Sequence, residues 1–448
     1  MFDYPPEGVR KCIVSTNIAE TSVTIDGVRF VVDSGKVKEM HYDPVSKMSR
    51  LKEFWISRAS AEQRKGRSGR TGPGVCFRLY ADSEYKALAA YSAPEIQRVP
   101  LDNLILQMIS MGLPDARKFP FIEPPPPESI ENSILVLKEQ GALNEDESLT
   151  VVGRTLANLP VDVSLGKMLI MGTLFHQNDS VMALAAALSV QSPFTNDAFR
   201  NSDCVAARKN LDSDHGDPIT LLNAYREWLQ VKAEDREPSR KWCRKRGLEE
   251  QRFYEMTKLR AQFKELLEQA GLLKKDDELE AARMSSADRA KRHGELKQLR
   301  TLKREIMKKE GGGDKKKKIL RVTTLESAAD LDDGGVGGGE ADIKDIEFRM
   351  RHDRRKVRDL LEGAKAYTYK DLTLLKIILT SGLYPQLAVA DEFNGGKASG
   401  ADQLFHTKVK PFNVLHPNCI FAASPGIDTR GNFVFLLSSL NQFQCLVP

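Results

Sequence analysis

SAEQRKGRSGRTGPG, running from Ser60 to Gly74, places Arg67 and Arg70 three residues apart among glycines, with Gln63 just ahead of them. Glycine lets a backbone approach a ligand closely, and a guanidinium keeps its charge at any physiological pH. Such a group has the chemistry to clamp nucleotide phosphates and to stabilise the charge that spreads over a transferring γ-phosphoryl group. A solvated flexible loop or a nucleic-acid-binding tail has the same composition, so this stretch taken alone leaves both readings open.

Upstream lies STNIAETSVTIDG, Ser15 to Gly27, dense in hydroxyls and amides (Ser15, Thr16, Asn17, Thr21, Ser22, Thr24). It follows the apolar run Cys12, Ile13, Val14, read as a strand, and precedes a second run, Val28 to Val32. Polar groups at the C-terminal edge of a sheet usually face ligand, and Asp26 is placed to accept a hydroxyl. A merely capped strand-to-helix turn is the alternative.

Working outward, Lys36 to Ser57 alternates Val37, Met40, Tyr42 with Met48, Leu51, Phe54 around Asp43-Pro44, which predicts a long hairpin. Ser60 to Arg67 predicts a helix, and Val75 to Tyr80 a buried strand. From Pro94 the period becomes helical, with Leu101, Leu104, Ile105, Met108 and Met111 on one face. After the Pro124 to Pro127 run, Ser129 is read as the N-cap of a helix reaching toward Gly141. Helical patterns continue over 165–188 and 219–273. Between Lys274 and Asp353 apolar residues are sparse and the chain carries Lys315 to Lys318, Gly311 to Gly313 and LDDGGVGGGEAD, a composition that predicts a disordered or transiently helical insertion. Tyr367 to Ile378 is again amphipathic, and from Leu387 short apolar stretches alternate with turns, as in a small β domain.

The 448 residues suffice for three or four domains with real cores. A net charge of +5 fits contact with a polyanion without requiring one. Six scattered cysteines, with no CxxC pair and no His at metal-ligand spacing, predict a reducing, intracellular setting, nucleus or cytoplasm. No apolar run approaches the ~18 residues of a membrane span.

Taken together and in this order, STNIAETSVTIDG and QRKGRSGRTGPG resemble motifs V and VI of superfamily 2 helicases, specifically the DEAH/RHA branch of RNA helicases. The resemblance continues through PEIQRVPLDNLILQMISMG, FPFIEPPPPESIENSILVLKEQGAL, LTVVGRTLANLPVDVSLGKMLIMG, GDPITLLNAYREWL and Trp242-Cys243, to HPNC at His416 to Cys419. It covers Gly8 to Phe421 apart from the charged insertion. The resemblance implies a multidomain α/β plus α chain. Its parts are a partial RecA-like second motor domain over 1–92, a winged helix over 93–150, a helical ratchet-like domain over 151–273, the disordered insertion over 274–353, and an incomplete OB-fold-like β domain over 354–448.

By the same resemblance Gln63 sits near the nucleotide phosphates and Arg67 and Arg70 are arginine fingers, with Arg70 also reaching the ribose side. Thr24 and Asp26 match positions contacting the nucleotide ribose, and Ser15, Thr16 and Asn17 match positions touching the RNA backbone. The implied cofactor is ATP, its Mg²⁺ held by a first motor domain, and the implied partner is single-stranded RNA bound without sequence preference. An activating protein partner and a role in mRNA surveillance are also implied. The 36–57 hairpin, with Lys36, Lys38, Lys47, Arg50 and Lys52, resembles the family's strand-separating element, although hairpin lysines commonly only solubilise.

The sequence also departs from the family. GxxxxGK[ST] and the DEAH tetrapeptide do not occur in it, so the chain alone is expected to be inactive and to serve as an RNA- or protein-binding module. It is expected to be a fragment, and five OB strands are expected to need more chain than follows Phe421. His416 is read as a turn residue, and Trp55, Trp228 and Trp242 as core aromatics rather than base-stacking platforms.

Overall fold

The computed structural model of the chain describes residues 7–21, 25, 27–43, 48–70, 72–234 and 237–274. Beyond these it describes 294, 297–298, 301, 346–347, 350–351, 353–363, 367–394, 403–407, 412–415, 418–423, 433–437 and 444–446. Two compact units result, 1–136 and 137–448. Nearly all of the charged stretch 274–353, including the 315–318 lysines, lies outside the described residues, as does His416.

In the first unit a single turn, α1 (Ile18–Thr21), leads to β1 (Phe30–Asp33), then to β2 (Lys36–Asp43) and β3 (Met48–Trp55), which pair antiparallel from Lys36 opposite Trp55 to Asp43 opposite Met48. Gly35 turns the chain between β1 and β2 at φ +72°, and a Cβ there would strike Tyr80 at 2.7 Å and Trp55 at 2.9 Å. Helix α2 (Arg58–Gly66) starts where Ser57 Oγ accepts from Ser60 N–H (3.1 Å), and β4 (Val75–Arg78) returns parallel to β1. Ile56, Ala61 and Leu88 form the buried centre beneath Val37, Tyr80 and Tyr85.

Three expectations change here. Cys12 to Val14 adopts no strand, and Val14 is 96% exposed. Strand β4 exists, but Val75 and Phe77 are exposed, as are Phe30 and Val32 on β1. Apolar content marks a strand; what covers its face is a tertiary matter. Trp55 is 46% exposed and carries the Lys36 ammonium 3.5 Å above its ring, so it is not a core aromatic.

After α3 (Asp82–Ala87), α4 (Asp102–Ser110) buries Ile105, Leu106 and Met108, with Leu101 just before it, while Leu104 and Met111 remain exposed. The buried stripe is therefore rotated from the predicted one. Helix α5 (Pro127–Glu139) begins two residues before Ser129, because proline suits the first helical position, where its missing N–H has no partner to lose. The second unit begins with a Leu143–Leu149 antiparallel bridge and α6 (Val151–Ala157).

The second unit is helical at heart. Helices α7 (Val163–Leu174), α8 (Asn178–Ser189), α9 (Asp197–Arg200), α10 (Ser202–Arg208), α11 (Asp217–Glu234), α12 (Ser239–Lys245) and α13 (Glu250–Gln269) surround one core. Trp228 is fully buried, stacked on Phe253 (5.3 Å between centroids) and met edge-on by Tyr254 (5.2 Å). Its indole N–H donates to Glu250 (3.2 Å), which satisfies the one polar atom this ring brings into the core. Trp242 is buried beside it in the same core.

Beyond the charged stretch, Met350, α14 (Arg354–Glu362) and α15 (Tyr369–Leu383) pack into this same helical core. Gly382 permits the close approach of α15 to α7, since a Cβ there would lie 2.2 Å from Met168 Cγ. A five-stranded antiparallel sheet closes the chain, made of β5 (Leu387–Ala390), β6 (Leu404–Thr407), β7 (Asn413–Val414), β8 (Phe433–Leu437) and β9 (Gln444–Leu446) in the order β7-β6-β5-β8-β9. Each strand is only two to five residues long; β5, β6 and β7 precede Phe421, and β8 and β9 follow it. Helix α16 (Ile420–Ala423) is capped from a distance, Asp217 Oδ1 accepting from Ile420 N–H at 3.0 Å.

Candidate functional site

Arg64, one residue after Gln63, is the polar centre of the first unit. Its Nε donates to Glu20 Oε2 (3.1 Å), and its Nη1 donates to Asp33 Oδ1 (2.8 Å) and to the Lys36 carbonyl (3.2 Å). Asp33, 2% exposed at the end of β1, also accepts from the Tyr80 hydroxyl (2.9 Å) and the Gly35 N–H (3.0 Å). Burial works against the Arg64 charge, but the two carboxylates outweigh it and hold the guanidinium more firmly protonated than usual. Burial and the Asp33 bond push the Tyr80 hydroxyl well up, so it stays a donor.

This network brings two of the candidate segments together. Ser15, Thr16 and Asn17 are exposed on the loop that opens α1, with the Ile18 N–H donating to Thr16 Oγ1 (3.5 Å) and Glu20 N–H to the Asn17 carbonyl (2.9 Å). Gln63 is exposed on α2, and Arg67 and Arg70 lie on the turn that follows. Arg67 is half-buried, and its Nη1 is enclosed without a hydrogen-bond partner among the described residues. Arg70 is exposed. Thr24 and Asp26 lie outside the described residues.

The glycines of this turn have different duties. At Gly66 and Gly69 an added Cβ would meet nothing within 4 Å among the described residues, so the turn is open to them on that side. At Gly74 a Cβ would lie 2.0 Å from the Ser68 carbonyl oxygen, so there the glycine serves backbone packing rather than ligand approach. Arg64, Asp33 and Glu20 were missed by sequence reasoning. Within RKGRSGR no arginine differs chemically from the others, and the partners of Arg64 lie 31 and 44 residues away.

On the outer face of α2, Glu62 accepts from Arg78 (2.6 Å), Lys65 (3.0 Å) and the Tyr85 hydroxyl (3.0 Å), which lowers its carboxyl from 4.5 to about 2. A carboxyl depressed on folding stabilises above its unfolded value, and that contribution disappears as pH falls from about 4.5 through about 2. The unfolding midpoint of the wild type should therefore drop more than that of Glu62→Gln between pH 5 and pH 3. Equal drops would show that these exposed contacts contribute nothing.

Among the described residues no group of three or more His, Cys, Asp or Glu is arranged to hold a metal ion, and no helix is long and apolar enough to cross a membrane.

Family models agree with this arrangement. The helicase conserved C-terminal domain matches residues 1–72, the winged-helix part of the helicase-associated domain (HA2) matches 133–161, and its ratchet-like part matches 162–252. The succession of motor, winged-helix and ratchet-like segments is that of a DEAH-box RNA helicase, and the chain belongs to that family. Within it the chain is similar to the probable ATP-dependent RNA helicase DHX34 of Mus musculus, 56% identical over 431 residues, or 95% of this chain and 37% of the relative. The Homo sapiens protein of the same name is 55% identical over the same shares. The Arabidopsis thaliana DExH-box ATP-dependent RNA helicase DExH3 is 42% identical over 276 residues, 61% of this chain and 23% of the relative. The chain thus spans just over a third of the length of its DHX34 relatives.

Proposed function

We propose that this chain supplies the RNA-backbone contacts and the arginine fingers of an ATP-dependent RNA helicase that unwinds RNA or remodels RNA–protein complexes. The supporting observation is that one half-buried guanidinium, Arg64, ties the exposed Ser15–Asn17 loop to the Arg67–Arg70 turn. In this reading Ser15, Thr16 and Asn17 bind phosphate and ribose of single-stranded RNA without reading bases. Gln63, Arg67 and Arg70 face the ATP phosphates, with Thr24, Asp26 and Arg70 on the ribose side. The enclosed Nη1 of Arg67, which has no partner among the described residues, and the open side of Gly69 fit a phosphate ligand. ATP would supply the transferable phosphoryl group, and Mg²⁺ would be held by a P-loop motor domain. The chain alone, whose sequence has no P-loop lysine, binds RNA without turnover.

The same reading assigns 1–92 to the second motor domain, 93–150 to the winged helix, 151–273 to the ratchet-like domain, and the terminal sheet to an OB-fold. The test is a titration of the 448-residue chain with labelled oligo(U) and oligo(C). Comparable affinities are expected for the two, with both weakened about tenfold or more by the combined change of Ser15, Thr16 and Asn17 to alanine, three hydrogen bonds of ordinary strength being lost. Unchanged binding in that variant would remove the RNA assignment of the loop.

A further inference from the structure

Arg64 does more than fill the centre of the first unit. A continuous series of bonds runs through it. The Asn17 carbonyl accepts from Glu20 N–H (2.9 Å), the Glu20 carboxylate accepts from Arg64 Nε (3.1 Å), and the Arg64 carbonyl accepts from Arg67 N–H (3.1 Å). The side chains of Glu20 and Arg64 are 12% and 14% exposed, so water screens this ion pair little. Asp33 and the Lys36 carbonyl fix the far edge of the guanidinium, which leaves Glu20 as the partner on the RNA-loop side.

We propose that Arg64 is a positioning residue that transmits RNA occupancy of the Ser15–Asn17 loop to the arginine-bearing turn after α2, through its ion pair with Glu20. This rests on the RNA-binding role assigned to that loop above. RNA that draws the loop into a new position moves α1, whose Glu20 is held at one end by Asn17 and at the other by Arg64. A guanidinium is planar and its donors are fixed relative to one another, so a displaced carboxylate turns the plane rather than stretching one bond. Helix α2 carries that movement to Arg67, its C-cap residue. Arg64 thereby couples polynucleotide binding to phosphate binding without touching either ligand.

The experiment is amide hydrogen exchange on the 448-residue chain with and without saturating oligo(U). In the wild type, RNA should slow exchange both at 15–21 and at 66–70. Glu20→Ala should keep the first effect and reduce the second about fivefold or more, the lower range of ordinary coupling between sites. Glu20→Gln, which keeps an acceptor for Nε, should fall between the two. Unchanged exchange in β3 serves as the check that the unit stays folded; should Glu20→Ala lose it, the comparison rests on Glu20→Gln. Slowing confined to 15–21 in the wild type overturns the coupling, as does a 66–70 effect in Glu20→Gln equal to that of the wild type. A wild-type chain that binds no oligo(U) instead overturns the RNA assignment and this inference with it.

Discussion

In a protein that joins this chain to a P-loop motor domain, Arg70→Ala should lower RNA-stimulated ATP turnover by about 10³-fold or more, and Arg67→Ala to a similar degree. During phosphoryl transfer, negative charge spreads over the equatorial oxygens of the γ-phosphoryl group, and a guanidinium placed beforehand stabilises that charge with no reorganisation at the moment of reaction. Arg67 is half-buried, its Nη1 enclosed and without a partner among the described residues, and Arg70 lies on the same turn, exposed. Lysine should not rescue either position, because a single ammonium cannot form two parallel bonds to a phosphate. Turnover measured with saturating RNA, beside RNA affinity as a control, decides the matter. Near-normal rates in both alanine variants would rule out the finger assignment.

Asp33→Ala should destabilise the first unit by about 1–3 kcal/mol, since the half-buried Arg64 guanidinium keeps Glu20 and the Lys36 carbonyl but loses its 2.8 Å bond to a carboxylate. The Tyr80 hydroxyl and the Gly35 N–H lose the same acceptor. The double variant Asp33→Ala with Arg64→Met should cost more than Asp33→Ala alone, because it also leaves the Glu20 carboxylate, 12% exposed, without its cation. Denaturant-dependent amide exchange in β1 and α2 would measure both. A loss below about 1 kcal/mol in Asp33→Ala would mean that water reaches Arg64 and that the node is a surface pair.

Much of the local structure was legible. Alternation on both sides of Asp43-Pro44 is sufficient for the β2–β3 hairpin, and a 3.6-residue period is sufficient for α4, α8 and α11, because both patterns are set by where successive side chains point. The RKGRSGR stretch announced a concentrated positive charge beside flexible backbone. Which side of an element is covered was not legible. Leu104 and Met111 fit the helical stripe yet stay exposed, and Phe77 is as apolar as any core residue yet half-exposed on β4.

By itself, then, the sequence determined the β2–β3 hairpin, the main helices, the family and the cluster of candidate phosphate ligands, since these depend on residue type and short-range spacing. Tertiary structure alone distinguished Arg64 from Arg67 and Arg70, and Trp55 from Trp228. The distinction lies in what each side chain meets after folding. Arg64 meets carboxylates from Glu20 and Asp33, far away along the chain, whereas one nitrogen of Arg67 has no partner among the described residues. Trp228 is enclosed by Tyr225, Phe253 and Tyr254, whereas Trp55 has a lysine above its ring and stays half-exposed.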